Sequence, residues 1–349
     1  MIFSYLELIL IIFICTLIVF LYQKYRVFKN ITKDHHQNFT YKEFILPVGG
    51  YLLITSIIVL NFSNINLEFI YLLLIFIVGA LSDLKKFNSP KYRLFIQSAL
   101  ILLFVYQFQI ELTLTRLQFL DSLLENIYFN VFFVSFCILI VINGTNFIDG
   151  LNGLVLIYYL CISLIILNSG LEIQLFGNEN FLSQLAAMLL CLLLLNNFNK
   201  LYLGDSGSYL IGFLFAIILL KIYLSNQYIS PFFIILLLWY PCFENLFSII
   251  RKYRYKKSPI KPDTNHLHQL LFYYLNKKIK FKNKLICNNF SSAVINFYNL
   301  VIFLLGFNQL TKTNVQVVLI LFNILIYLII YSKLFKFRYK NFKKVNFFY

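Results

Sequence analysis

Asn143, Asn146, Asp149 and Asn152 stand three residues apart in the stretch INGTNFIDGLNGL, residues 142–154. Wound as a helix, Asn146, Asp149, Asn152 and Gly153 would share one face. If Asp149 opens the next helix, the positive helix end favours its carboxylate. A second stretch, KLYLGDSGSYLIGF (200–213), surrounds Asp205, Ser206 and Ser208 with glycines. The serines can cap a helix, and the free N–H groups of a helix start attract phosphate. A carboxylate in that turn would repel phosphate unless a cation lies between, which points to Mg²⁺, a hard ion that takes one or two carboxylates plus phosphate oxygens. In GALSDLKKFNSPKYRLFIQ (79–97), Asp83 ends an apolar run and basic residues follow. In KSPIKPDTNHLHQL (257–270), His266 and His268 lie beside Asp263 in a basic segment. No further Cys or His completes a zinc set, so contact with phosphate or proton shuttling suits this pair better. Carboxylates for a metal, bases and N–H donors for phosphate are the parts of phosphoryl transfer.

Each of these stretches admits a plainer reading: a basic stop after a span, a polar hairpin, a capped helix start, incidental loop histidines. What argues for a site is their shared placement. The 349 residues are 60% hydrophobic and 13% charged, with a mean hydropathy of +0.78. Such a chain has too little polar surface to coat a soluble core. Apolar windows long enough to cross a bilayer recur throughout. The fold class is an all-α, polytopic transmembrane bundle. Eleven spans are predicted, near 2–22, 44–62, 66–82, 94–109, 130–146, 151–168, 181–197, 207–223, 231–250, 291–307 and 314–334. The first reads as a retained anchor, since it has neither a basic leader nor a small-residue cleavage site. The whole chain is predicted to be one membrane-embedded domain, with a long loop at 251–290 carrying the histidines.

The connections then fall on two sides. All 30 Lys and Arg except Arg116, Lys221 and Lys312 fall with 23–43, 83–93, 198–206, 251–290 and the tail, counting Lys333 at the inner end of the last span with the tail. Basic residues mark the cytoplasmic face, so the N-terminus is predicted outside and the C-terminus inside. This bias accounts for the net charge of +16 without nucleic acid as a partner. Asp83, Asp149, Asp205, Asp263 and all four histidines fall on the inner side, with Glu244 about a turn and a half within the membrane. Glu68, Glu111, Asp121, Glu125, Glu172 and Glu179 fall near the outer face. Five of the six cysteines lie in apolar runs and none forms a CxxC pair, so neither a disulfide framework nor a zinc site is expected. A site at the bilayer surface suggests one lipid phosphate and one soluble reactant.

Taken in order, these stretches and YPCFENLFSIIRK resemble the polyprenyl-phosphate N-acetylhexosamine-1-phosphate transferases, from about residue 40 to 275. That family includes the translocase making the first lipid intermediate of peptidoglycan and the enzymes that start O-antigen or enterobacterial common antigen. Eleven spans with an inside C-terminus look more like the O-antigen branch of this glycosyltransferase family 4. The resemblance implies that a polyprenyl phosphate attacks the β-phosphorus of a UDP-amino sugar, giving polyprenyl-diphospho-sugar and UMP, with Mg²⁺, or Mn²⁺ in its place. It implies catalytic roles for Asp83, Asp205, His266 and His268, with Asp205 on the metal. It also implies substrate contacts from Asn143, Asn146, Asp149, Asn152 and Lys200, and from Tyr202 as an aromatic against uracil. The implied partners are the lipid phosphate, the nucleotide sugar and the bilayer, and a homodimer is compatible with them. Three positions depart from the family pattern. Ser82 replaces the first Asp of an Asp-Asp pair, Asn152 stands where many relatives have Asp, and Gln269 ends a motif that often has another His. The competing reading is a non-catalytic or flippase-type protein handling lipid-linked sugars. A transporter would place its ionisable groups near mid-membrane, often on broken helices. A lipid phosphatase, which needs a water nucleophile, has no recognisable arrangement here.

Overall fold

The computed structural model describes Leu10, Phe13, Leu17 and residues 47–87, 89–171, 176–254, 256 and 264–339. The predicted span 2–22, apart from those three positions, lies outside the described residues, as do Asp263, Glu172, His35 and His36. The described chain is helical: α1 (Gly49–Leu60), α2 (Leu67–Asp83), α3 (Pro90–Gln107), α4 (Gln118–Leu124), α5 (Ile127–Ile148), α6 (Leu154–Leu167), α7 (Phe181–Asn197), α8 (Gly204–Ser225), α9 (Pro231–Leu237), α10 (Trp239–Arg254), α11 (Leu267–Lys278), α12 (Lys284–Phe307) and α13 (Thr313–Arg338).

The centre is α8. Its apolar residues go all the way round, the pattern of a helix buried on every side. From Leu210 to Leu219 all ten residues are buried. It packs most extensively on α2 and α5. The outer helices are turned inside out relative to a soluble protein. On α10 the buried residues include Glu244, Asn245, Ser248, Arg251 and Lys252, whereas Leu246, Ile249, Ile250 and Tyr253 are exposed. On α13, Gln316, Asn323, Tyr327 and Tyr331 are buried while Val318, Leu321 and Leu325 are exposed. Lipid accepts the apolar face and the bundle interior must satisfy the polar one. The chain is a multi-pass membrane protein.

Four helices, α5, α8, α12 and α13, are long and apolar enough to cross a membrane, or five spans if the bent pair α9–α10 is one. The shorter apolar helices α1, α6 and α7 coincide with predicted spans, but a helix of α1's 12 residues rises only about 18 Å against a core of about 30 Å. The predicted span 231–250 is broken at Leu238, with a bend of 72°. Pro241 is the cause: it has no N–H for the carbonyl of Leu237. That carbonyl instead accepts from the hydroxyl of buried Tyr158 at 2.8 Å. Two short helices, α4 and α11, lie where loops were predicted.

The connections gather into two sets. Arg116 donates to the carbonyls of Tyr228 and Ile229 and to Thr311 and Thr313, joining three connections predicted to be outer. The turn at 147–150 meets the 264–268 segment, and the end of α2 meets the start of α8, at the site described next.

Candidate active site

The site is built around the start of α8. Gly204 adopts a left-handed conformation (φ 76°), and a Cβ there would lie 2.8 Å from Asp83 Oδ2. Only glycine meets both demands. With no side chain in the way, Asp83 at the end of α2 reaches the first N–H groups of α8. Its Oδ1 accepts from the backbone N–H of Asp205 at 2.8 Å. Its Oδ2 accepts from Ser206 N–H at 3.0 Å and from Ser206 Oγ at 2.6 Å. Asp83 is therefore a cap supplied from another helix, satisfying donors that would otherwise be orphaned. Burial and the charge of Asp205 push its carboxyl up to about 7, against the pull of these three donors.

The side chain of Asp205 turns the other way. Its Oδ2 accepts from Ser82 Oγ at 2.5 Å and forms an ion pair with Arg93 Nη1 at 2.6 Å. The Arg93 guanidinium also donates to Ser82 Oγ. Oδ1 accepts from Asn146 Nδ2 at 2.8 Å, and the same amide group reaches Ser208 Oγ at 3.0 Å. Asp149, at the end of α5, is the third carboxyl. It has no side-chain hydrogen bond among those described. Burial, then the charges of Asp205 and Asp83, push it up to about 8. When all three carboxyls are ionised, the single Arg93 charge leaves a net of two negative charges. Among the described residues no group of three or more His, Cys, Asp or Glu could hold a metal ion by protein ligands alone. An ion that takes one or two carboxylates and completes its shell with water or phosphate oxygens does fit. Asp205 Oδ1 carries one protein hydrogen bond and keeps a lone pair.

The turn at 147–150 links the carboxylates to the histidines. Phe147 packs on the His266 ring with centroids 5.5 Å apart, and Lys252 Nζ lies 5.7 Å from the Phe147 centroid. His266 and His268 lie nearly parallel, 5.7 Å apart. His268 packs so closely on Gly150 that a Cβ there would sit 2.2 Å from Nε2. It is fully buried, and neither ring nitrogen has a hydrogen-bond partner in the structure described. Burial and the neighbouring His266 hold its pKa down at about 3. Gln269, where the motif departs from the family pattern, accepts from the N–H of His266 at 3.3 Å and so braces the start of α11.

Of the predicted site residues, Asp83, Asn146, Asp149, Asp205, His266 and His268 come together. Four lie differently. Asn152 is buried in an amide network that ties α6 to α7 and α12: its Nδ2 donates to Asn196 O at 3.0 Å and to Asn199 Oδ1 at 2.5 Å, and its N–H donates to Asn288 Oδ1 at 2.8 Å. Asn143 donates to Leu139 O of its own helix at 2.9 Å. Lys200 is exposed and Tyr202 half-buried in the segment leading into α8. Sequence reasoning overlooked Arg93 as a site residue. The signal was present: a basic residue in the first turn of a helix that starts at Pro90 opposes the helix dipole and needs a partner elsewhere.

The family model for glycosyl transferase family 4 matches residues 65–223, the interval that holds the carboxylate cluster. The chain is 28% identical over 251 residues to the undecaprenyl-phosphate alpha-N-acetylglucosaminyl 1-phosphate transferase of Thermotoga maritima, covering 70% of this chain and 73% of that protein. It is 29% identical over 204 residues to the Escherichia coli protein of the same name, covering 56% of this chain and about half (54%) of that one. It is 30% identical over 152 residues to a decaprenyl-phosphate N-acetylglucosaminephosphotransferase of Mycolicibacterium smegmatis, covering 38% and 37% of the two chains. The matched interval is centred on the carboxylates that α2, α5 and α8 bring together, and over it the chain is similar to glycosyl transferase family 4 and to these N-acetylglucosaminyl 1-phosphate transferases.

Proposed function

We propose that the chain transfers an N-acetylamino-sugar 1-phosphate from a UDP-sugar to a polyprenyl phosphate at the cytoplasmic membrane surface, starting a cell-surface glycan. A phosphate oxygen of the lipid attacks the β-phosphorus, the bond from that phosphorus to the α-phosphate oxygen breaks, and UMP leaves. The observation that carries this reading is the convergence of Asp83, Asp149, Asp205 and Arg93 with two histidines at one end of the bundle. The names of the related proteins support the reaction class.

Mg²⁺ bound through Asp205, with Asp149 facing the same space, would neutralise charge on the transferring diphosphate. Everything else falls to the chain's own groups. Arg93 supplies a fixed positive charge. Asp83 holds the first turn of α8 so that the Asp205 side chain faces Asn146 and Ser82. The lipid phosphate is already an anion near neutral pH, so it needs positioning more than deprotonation. In this reading His266 and Lys252, which flank Phe147, meet a phosphate or the sugar; their packing on that ring supports a shared role.

The test is incubation of the purified full-length protein with undecaprenyl phosphate and a panel of radiolabelled UDP-N-acetyl sugars, followed by lipid extraction. Label in the lipid phase with release of UMP is expected for at least one sugar and only with divalent cation. A lipid phase that stays unlabelled with every sugar overturns the reading. The orientation is tested separately: reporter fusions after residues 90 and 270 should read cytoplasmic, and those after 120 and 175 external.

A further inference from the structure

Glu244 sits on α10 with no exposed surface, and the phosphoryl-transfer reading gives it no role. A buried carboxylate must be paired or hydrogen-bonded, or it will not stay charged. Both of its oxygens are engaged. Oε1 lies 3.0 Å from His266 Nδ1, and Oε2 accepts from the Tyr327 hydroxyl at 2.7 Å. Tyr327 belongs to α13, far outside the interval matched by the family model.

The same face of α13 goes on to grip the histidine segment. Tyr331 donates its hydroxyl to Asn265 O at 3.0 Å, one residue before His266. Arg338 donates to the carbonyl and hydroxyl of Thr264, the latter at 2.9 Å. Tyr339, just past the helix, donates to Asn265 Oδ1 at 2.7 Å. Residues 264, 265 and 266 are thus held one after another by a single helix, the last of them by way of Glu244.

An ionised carboxylate is acceptor-only. Its partner at 3.0 Å must therefore be a donor, which puts the proton of a neutral His266 ring on Nδ1 and the lone pair on Nε2. Orientation of a functional imidazole by a carboxylate on its other nitrogen is a general device in acid–base sites. We infer that Glu244 is the positioning residue for His266, fixing its tautomer and ring plane, and that the last helix, through Tyr327, fixes Glu244 in turn. The role assigned to His266 rests on the transferase reading; the Glu244–His266–Tyr327 arrangement does not.

The experiment has two arms on the full-length protein in lipid nanodiscs. In the first, ¹⁵N-histidine spectra are recorded for wild type, Glu244→Gln and Tyr327→Phe, with His266 assigned from its loss in His266→Gln. Wild type should show His266 as the Nδ1–H tautomer. An amide can donate as well as accept, so Glu244→Gln should give a mixture or the Nε2–H form. Tyr327→Phe should keep the tautomer but broaden the signal. In the second arm, sugar-phosphate transfer is measured with both substrates varied. Glu244→Gln should lower kcat on the order of 10²-fold, the low end of what a proton-transfer group contributes, with KM for nucleotide sugar changed less than about threefold. Tyr327→Phe should lower kcat by about three- to tenfold, less than the full worth of a hydrogen bond to a charged group, because Glu244 keeps its contact with His266. A purely structural role would lower thermal stability and the fraction of active protein without moving the tautomer. An unchanged His266 tautomer in Glu244→Gln overturns the inference. Should Glu244→Gln fail to fold, a His266 signal and a kcat both unmoved by Tyr327→Phe overturn it instead. If wild type transfers no sugar phosphate, the transferase reading fails while the spectra still decide the dyad.

Discussion

Replacing Asp83 by Asn tests whether this carboxylate holds a helix or takes a proton. In the structure it accepts three hydrogen bonds, from Asp205 N, Ser206 N and Ser206 Oγ. An amide offers one acceptor oxygen. If that oxygen keeps Ser206, the NH₂ group faces the N–H of Asp205, so one charge-assisted bond is lost and one donor is left unsatisfied. The first loss is about 1.5–3 kcal/mol and the second about 1–3 kcal/mol. Removing a negative charge beside Asp205 and relieving its burial offset part of this, since those two causes are what push the Asp83 carboxyl up to about 7. A net cost of about 2–3 kcal/mol remains. It falls on the turn that aims Asp205, so turnover should drop by as much as 10²-fold, at about 1.4 kcal/mol per factor of ten. The assays are the thermal midpoint in detergent and the transfer rate with saturating UDP-sugar from about pH 7 to 9, a range that starts at the carboxyl's own value. Lower stability and lower turnover should appear together, with no recovery at high pH. Wild-type stability with turnover restored by raising the pH would show that Asp83 is a base and that the capping geometry is incidental.

Asp205→Asn should leave the fold intact, because its backbone N–H still caps on Asp83, but abolish cation-dependent transfer; wild-type turnover at limiting Mg²⁺ would make Asp205 a structural partner of Arg93 only. Asn152→Ala should cost about 1–3 kcal/mol of stability by leaving the amide network unsatisfied, with KM for the nucleotide sugar unchanged; a raised KM at unchanged stability would return Asn152 to the substrate site. His268 makes the protein acid-sensitive. Its folded pKa, held at about 3, lies below the ordinary 6.5, so between those values the unfolded chain binds one more proton than the folded one. Its contribution is present above pH 6.5 and is lost at about 1.4 kcal/mol per unit as the pH falls towards about 3. Comparing thermal midpoints at about pH 7.5 and about pH 5.5, either side of the ordinary histidine value, His268→Leu should lose less than wild type; equal losses would refute the buried neutral ring.

The fold was legible where the physics is local. Apolar length located α2, α5, α7, α8 and α13 to within a few residues, because a lipid-facing or buried helix needs a continuous apolar run. It was less legible where tertiary contacts decide. Pro241 was visible as a helix breaker, but whether it bends a span or stops it depends on Tyr158 arriving to take the freed carbonyl of Leu237. Leu267, Leu270, Leu271, Tyr274 and Leu275 carry the spacing of α11, yet so short a pattern inside a basic loop does not announce a helix without the partners α12 and α13. The amide ladder at 143–152 shows the same limit. Threefold spacing correctly puts Asn146 and Asp149 near one another, but the chain leaves the helix at Asp149 and passes through left-handed Gly153, so Asn152 faces α7 and α12 instead.

The departure at Ser82 is the clearest case of chemistry that residue identity alone could not decide. A carboxylate at that position would stand within hydrogen-bonding distance of Asp205, adding a negative charge to a cluster that Arg93 already under-compensates. It would also compete with Asp205 for the guanidinium. A hydroxyl does neither: it accepts from Arg93 and donates to Asp205 Oδ2 at the same time, bridging cation and anion and adding no charge of its own. Two like charges about 4 Å apart repel by about 4 kcal/mol at the effective dielectric of a partly buried site, so the serine spares the site a penalty of that order. What is given up is a second acidic group for a cation or a proton. The charge that remains is divided by role: Asp83 serves the start of α8, Arg93 is paired with Asp205, and in the proposed reaction Asp205, with Asp149 beside it, is left to face a cation.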